Sequence, residues 1–332
     1  MKNTNASPII FGWDFQINAA IILFLENIKE VKSIRVEGMT EDIEITLNNG
    51  RSIYSQSKAV ERENDYTNVL KKLKEAIITL DAACKQVNCE KIIYITNTPN
   101  PFSNQRTMSS FSGPISRRTF DELPESCQKT LLTATAKMGL GSFDVEKFEV
   151  RVFPFFTSNP YERYKIIKSE IESLLYKLNV RGLSEQLMEL WQQEFFFNAS
   201  QNPRDLQLSK KELIWPVVVF ESAVMENDEL LEDYDAADVE EIIRNYRGFI
   251  DNRVERFEFS VKIISDFREY PFEGGSREKV RNFVEDKWLE YYKEFDISKI
   301  SNETCEILTK IIIHKVLRNR YLINNIRKEV GL

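Results

Sequence analysis

The 332-residue sequence has a single histidine, His314, and four cysteines, none of them in a CxxC pair. His314 lies in the apolar helical pattern IIIHKVLRNRYL, where a core imidazole is the expected state. Catalysis by a His–Ser or His–Cys pair, or by a histidine metal site, is thereby nearly excluded. Cys84, Cys89, Cys127 and Cys305 lack zinc-ligand spacing, and the start MKNTNASPII has no secretory character. Reduced thiols and a cytoplasmic location are therefore expected. The longest uninterrupted apolar stretch, residues 19–25, is too short to span a bilayer, so no membrane is expected among the partners. Hydrolytic chemistry, if present, must run on carboxylates, lysine and a hard metal ion such as Mg²⁺ or Mn²⁺.

The chain also lacks a basic excess, with a formal net charge of -7. Residues 1–160 carry 19 Lys+Arg and 19 Asp+Glu; of the totals of 45 and 52, that leaves 26 basic and 33 acidic residues for 161–332. The acid surplus is wholly C-terminal. A neutral N-terminal half can still present a local basic groove to phosphates. Ten of the acids fall between Glu221 and Glu241 with no basic residue among them, a pattern of a solvated face or of a surface for a basic partner.

Periodicity supplies the elements. Residues 13–29 read as a helix, 33–37 and 42–47 as strands, and 52–58 as a return strand after the turn residues Asn48-Asn49-Gly50. A helix over 65–85, an apolar strand over 91–96, a loop over 97–117, a helix over 126–138 and a strand over 148–155 follow. This order predicts a mixed α/β sheet flanked by helices. From Asn159-Pro160 onward the patterns are helical, at 161–178, 184–197, 211–225, 236–270, 278–295 and 302–328, with Trp191 and Phe195–Phe197 as core. A domain over 1–158 and an all-α domain over 159–332 are expected.

The hairpin of the two middle strands has a register that the sequence decides. With Asn48-Asn49-Gly50 as a three-residue loop and Gly50 at positive φ, Leu47 pairs with Arg51 and Ile45 with Ile53. Ile43, Ile45, Leu47 and Ile53 then share a core face, and Asp42, Glu44, Tyr54, Gln56 and Lys58 share the other, with Asp42 opposite Gln56. A two-residue loop would split the apolar set between the faces.

An acid, a hairpin and then (D/E/Q)-x-K, here Asp42 followed by Gln56-Ser57-Lys58, resembles the signature of the PD-(D/E)xK nucleases. Gly12-Trp13-Asp14-Phe15-Gln16 resembles the helix start of their Mrr-like branch. Val36-Glu37 to Glu41-Asp42-Ile43, Gln56-Ser57-Lys58-Ala59 and the strand end Tyr94–Asn97 look like the double-stranded DNA endonuclease domain of CBASS anti-phage effectors, over roughly residues 8–157. In the second half, WQQEFFF and LIWPVVVFE resemble segments of the nuclease subunit of Lamassu, an ABC-ATPase three-component defence system.

The resemblance implies a restriction-endonuclease-like fold and metal-dependent cleavage of double-stranded DNA. It implies a catalytic set of Asp42, Gln56, Lys58 and Glu37, and a metal held by Asp42, Gln56 and the Ser57 carbonyl. Gln16, Tyr54 and Arg62 are expected on the substrate side. Partners would be an SMC-like ATPase subunit and a small third subunit, with homo-oligomers in the active state. Two departures stand out: Gln56 occupies the place of an acid, and Gln16 that of a helix glutamate. Glu37 or Glu44 is left to make up the missing carboxylate. The competing readings are a non-catalytic adaptor that binds DNA or an ATPase, and a stand-alone restriction enzyme.

Overall fold

The computed structural model describes residues 7–157, 160–201, 206–223, 241–246, 248–250, 256–293 and 301–332. The chain forms two compact units, one of residues 1–176 and 181–213, the other of residues 177–180 and 214–332. The boundary expected near residue 158 thus falls some fifty residues later in the chain.

The first unit is built on a seven-stranded mixed sheet of order β5-β6-β4-β3-β2-β1-β7. Its strands are β1 (Val31–Val36), β2 (Ile43–Leu47), β3 (Ser52–Lys58), β4 (Cys89–Thr96), β5 (Ser116–Thr119), β6 (Phe148–Val152) and β7 (Leu208–Ser209). β3 and β6 run parallel to β4, and the remaining pairs are antiparallel. β5 starts at the end of the expected loop over 97–117, and β7 lies between two helices of the domain expected to be all-α.

The β2–β3 hairpin pairs Ile45 with Ile53 and Thr46 with Ser52, and Gly50 has φ 82°. This is the register that burial demands. Ile43, Ile45, Leu47 and Ile53 are all buried, and a one-residue slip would move each to the other face. Burial of one such side chain contributes about 1.5–3 kcal/mol, so four together outweigh any turn preference.

Helix α1 (Ser7–Glu26) packs on one face of the sheet. It is long and apolar enough, by length and composition, to cross a membrane. Its central residues are nevertheless buried in this unit: Phe15 stacks on Phe153 and Phe24 meets Trp191 edge-on. Helix α2 (Val69–Cys84) turns Leu73, Ala76, Ile77, Leu80 and Ala83 onto the opposite face, and α3 (Glu125–Met138) adds Cys127, Leu131 and Ala134 to the same core. Helices α4 (Pro160–Arg163), α5 (Lys165–Leu178) and α6 (Ser184–Ser200) follow. α6 belongs with the sheet: Asn198 Oδ1 accepts from the Val36 amide, and Gln192 donates to Asn18.

The second unit is helical. Its described parts include α8 (Phe257–Glu269), α9 (Ser276–Tyr292), α10 (Asn302–Arg318) and α11 (Arg320–Val330), after α7 (Lys210–Ala223), which begins in the first unit. Ile263, Phe283, Ile312, Ile313 and Ile323 form its core, and His314 is buried in α10. Of the acidic stretch 221–241, residues 224–240 lie outside the described residues, as do 236–240, 247 and 251–255 of the helix expected over 236–270 and 294–295 of that expected over 278–295.

Candidate functional site

The end of the β2–β3 hairpin is where the polar residues meet. Continued pairing would place Glu41 opposite Ser57, but β2 turns away beyond Ile43 into the tight β1–β2 turn. There Glu37 N donates to Asp42 O at 2.7 Å and Gly38 N to Glu41 O at 3.0 Å. The Asp42 carboxylate takes over as partner of the abandoned strand end. Its Oδ2 accepts from Ser57 N at 2.9 Å, Ser57 Oγ at 2.9 Å and Gln56 Nε2 at 2.6 Å. Three donors on one oxygen fix the carboxylate, and none of the described residues donates to Oδ1.

Gln56 is buried, and its Oε1 accepts from Thr79 Oγ1 of α2 at 3.0 Å. Gln16, on α1, donates through Nε2 both to Glu37 Oε1 at 2.9 Å and to Asp42 O at 3.0 Å. Glu37 itself has φ 54°, a left-handed conformation that a non-glycine residue adopts only when its surroundings hold it there. Gln16, Glu37, Asp42, Gln56 and Ser57 therefore form one continuous network from α1, the β1–β2 turn and β3.

Lys58 ends β3, half-buried, with its carbonyl accepting from Thr96 Oγ1 at 2.6 Å. Among the described residues nothing accepts a hydrogen bond from its ammonium. Lys72 of α2 donates to the Ala59 carbonyl; burial pushes its ammonium down, Asp65 opposes that, and Lys58 adds repulsion.

Three expected residues stand elsewhere. Tyr54 is core, not surface: α2 covers its face of the sheet, and its hydroxyl donates to Asn88 Oδ1, 3.2 Å away near the opposite end of β3. Arg62 is exposed on the loop after β3, where its carbonyl accepts from Asp65 N. Glu44 is committed to the turn, its Oε1 accepting from Thr40 N at 2.6 Å and Glu41 N at 3.1 Å. A Cβ at Gly38 would fall 2.2 Å from the Glu44 side chain, so this packing requires glycine.

One residue was not singled out by the sequence pattern. Glu41 is 4% exposed, and neither of its carboxylate oxygens has a hydrogen-bond partner. Burial pushes its carboxyl up to about 8; the nearby Thr79 hydroxyl counters this, the charges of Asp42 and Glu44 add to it, and Lys58 counters it. A buried ionisable group beside a second acid and a lysine is typical of sites that do chemistry.

Among the described residues no group of three or more His, Cys, Asp or Glu is arranged to hold a metal. Mg²⁺ does not require one, since it is commonly held by one or two carboxylates with waters and substrate phosphates. Asp42 Oδ1 and the Ser57 carbonyl suit such an ion. The Gln56 amide suits it only when reversed, with Thr79 Oγ1 accepting from Nε2. Reversal would set Oε1 against Asp42 Oδ2, which is favourable only with a cation between them.

Compared with known proteins, the chain matches no family model, no curated protein and no solved structure.

Proposed function

We propose that the chain is a metal-dependent DNA endonuclease whose first unit has a restriction-endonuclease-like fold. Its active site is the Asp42–Gln56–Ser57–Lys58 cluster, with Glu37 and Gln16 positioning the Asp42 backbone. The observation that carries this reading is the convergence of these residues at one strand end, with a constrained carboxylate and a lysine ammonium free of described partners. A bound Mg²⁺ or Mn²⁺ would polarise a phosphoryl oxygen and acidify a bound water. Asp42, Gln56 and the Ser57 carbonyl would hold that ion. The Lys58 ammonium would stabilise the negative charge that develops on the phosphoryl oxygens, a role worth about 10²–10³ in rate.

The resemblance of the sequence motifs extends the proposal to the setting. The enzyme is an effector of a bacterial anti-phage or anti-plasmid complex, cytoplasmic and acting on double-stranded DNA. Assembly with an SMC-like ATPase subunit and a small third subunit switches it on, with homo-oligomers as the active form. A second reading, a nuclease-fold adaptor that binds DNA or the ATPase without cleaving, is favoured by the Gln56 amide that donates to Asp42 where a second acid would stand.

Incubation of supercoiled plasmid with the purified chain separates the two. The nuclease reading expects nicking in Mg²⁺, increased by forced oligomerisation, abolished by EDTA and lost in a folded Lys58→Ala variant. Binding without cleavage in every state favours the adaptor. Cleavage by Lys58→Ala at the wild-type rate removes the catalytic assignment.

A further inference from the structure

The Glu41 carboxylate is the least explained polar group of the first unit. Desolvation of a carboxylate without hydrogen bonds costs several kcal/mol, and proteins ordinarily avoid it or supply a partner. Nothing in the local sequence forces the burial, since a glutamate in a surface turn has water within reach. The structure holds it inward by the backbone. Its amide is tied to Glu44 Oε1, its carbonyl to the Gly38 amide, and the next residue's carbonyl to Glu37 N. Gly38 packs directly against the Glu44 side chain that holds the Glu41 amide.

The groups around the carboxylate are those of a cation site rather than of a packed core. Asp42 and Glu44 add negative charge, the Thr79 hydroxyl that donates to Gln56 Oε1 is nearby, and Lys58 stands by. Two acids placed together against a buried face are relieved either by a proton on one of them or by a cation between them. We infer that Glu41 is a second carboxylate ligand of a divalent cation shared with Asp42, in the place left open by the glutamine of Gln56-Ser57-Lys58. This assignment rests on the metal-dependent reading of the site. It explains why the absence of an acid at position 56 need not leave the ion underbound: the missing carboxylate comes from the turn on the other side of Asp42 rather than from β3.

Titration of the full chain with Mn²⁺, followed by the EPR signal of the free ion, tests this without any need for cleavage. Glu41→Gln should weaken Mn²⁺ binding by about tenfold to a hundredfold. Its unfolding midpoint in EDTA should not fall, because an amide tolerates the pocket better than an unpaired carboxylate. If that variant does not fold, Glu41→Leu, which makes no polar demand, serves in its place with the same expected loss. Wild-type affinity in the folded variant overturns the role of Glu41 alone, provided Asp42→Ala binds more weakly. A wild-type chain that binds no Mn²⁺ overturns both this assignment and the metal-dependent reading beneath it.

Discussion

Two glutamates of the first unit are equally buried, at 4% exposure, and have opposite surroundings. Glu149, on β6, faces Lys91 at 2.6 Å, Arg117 at 3.3 Å and Arg151 at 2.6 Å, and Arg151 reaches on to Glu26 at 2.9 Å. The Arg151 contact on Oε2 is an ion pair without hydrogen-bond geometry, while Oε1 is fully engaged. Burial opposes the charge of Glu149, yet Arg151, Lys91 and Arg117 hold its carboxyl below the ordinary range. Glu41 has no such partner, and its carboxyl is raised to about 8. The first arrangement joins strand to strand and strand to helix. The second stabilises nothing in the chain itself, which is why it points to a ligand.

The comparison breaks most visibly if the paired cluster is damaged. Arg151→Met leaves Glu149 and Glu26 facing a gap in a buried network, and should cost about 3–5 kcal/mol in urea unfolding. A loss within experimental error would mean that the cluster is solvated and that the contrast with Glu41 is weaker than described.

The pH dependence of the two carboxylates should differ in sign. Above its ordinary value of 4.5, Glu41 ionises in the unfolded chain while the folded chain keeps the proton up to about 8. The folded state then binds more protons, so stability falls as pH rises across that window. In EDTA, Glu41→Gln should therefore gain on the wild type from pH 5 to pH 8, by on the order of 1–3 kcal/mol at the upper end. Glu149 acts the other way: its contribution is present above the unfolded value and is lost as pH falls through the lowered folded one. A stability difference between Glu41→Gln and wild type that is flat from pH 5 to 8 would show that Glu41 is not held away from water.

The smallest effect belongs to the hairpin that carries the site. Gly50→Val places a β-branched residue at φ 82° and should destabilise by about 1–2 kcal/mol, measured by the same denaturation. Unchanged stability would indicate a turn other than the one that sets the register of Asp42 and Gln56.

That register was readable in the sequence because two demands coincided. Alternation put Ile43, Ile45, Leu47 and Ile53 on one face, and Gly50 fitted the single position needing positive φ. The succession of elements along the chain up to β4 followed from periodicity in the same way. The short edge strands did not: β5 is the polar SRRT and β7 two residues long, and neither has a period to detect. Tyr54 was misplaced because alternation tells which residues share a face and not whether a helix covers it; α2 buries the face that reads as polar. The boundary shifted because the helices after residue 160 are patterned like any others, and nothing local to Trp191 or Asn198 says that they pack with the sheet. Glu41 was passed over for a related reason. Asp42 reads as the start of a strand and Glu41 as the residue before it, with no periodicity that marks it as buried; the Glu44 and Gly38 contacts that fix its backbone are made across the turn.

The most direct test of the account is cleavage by Asp42→Asn, which keeps the size of the side chain and removes its charge. The variant should unfold at a midpoint near that of the wild type and lose plasmid nicking in Mg²⁺ by about 10²-fold or more. A well-folded Asp42→Asn protein that nicks plasmid at the wild-type rate would contradict the account, for the strand-end carboxylate would then hold the hairpin together and do no chemistry.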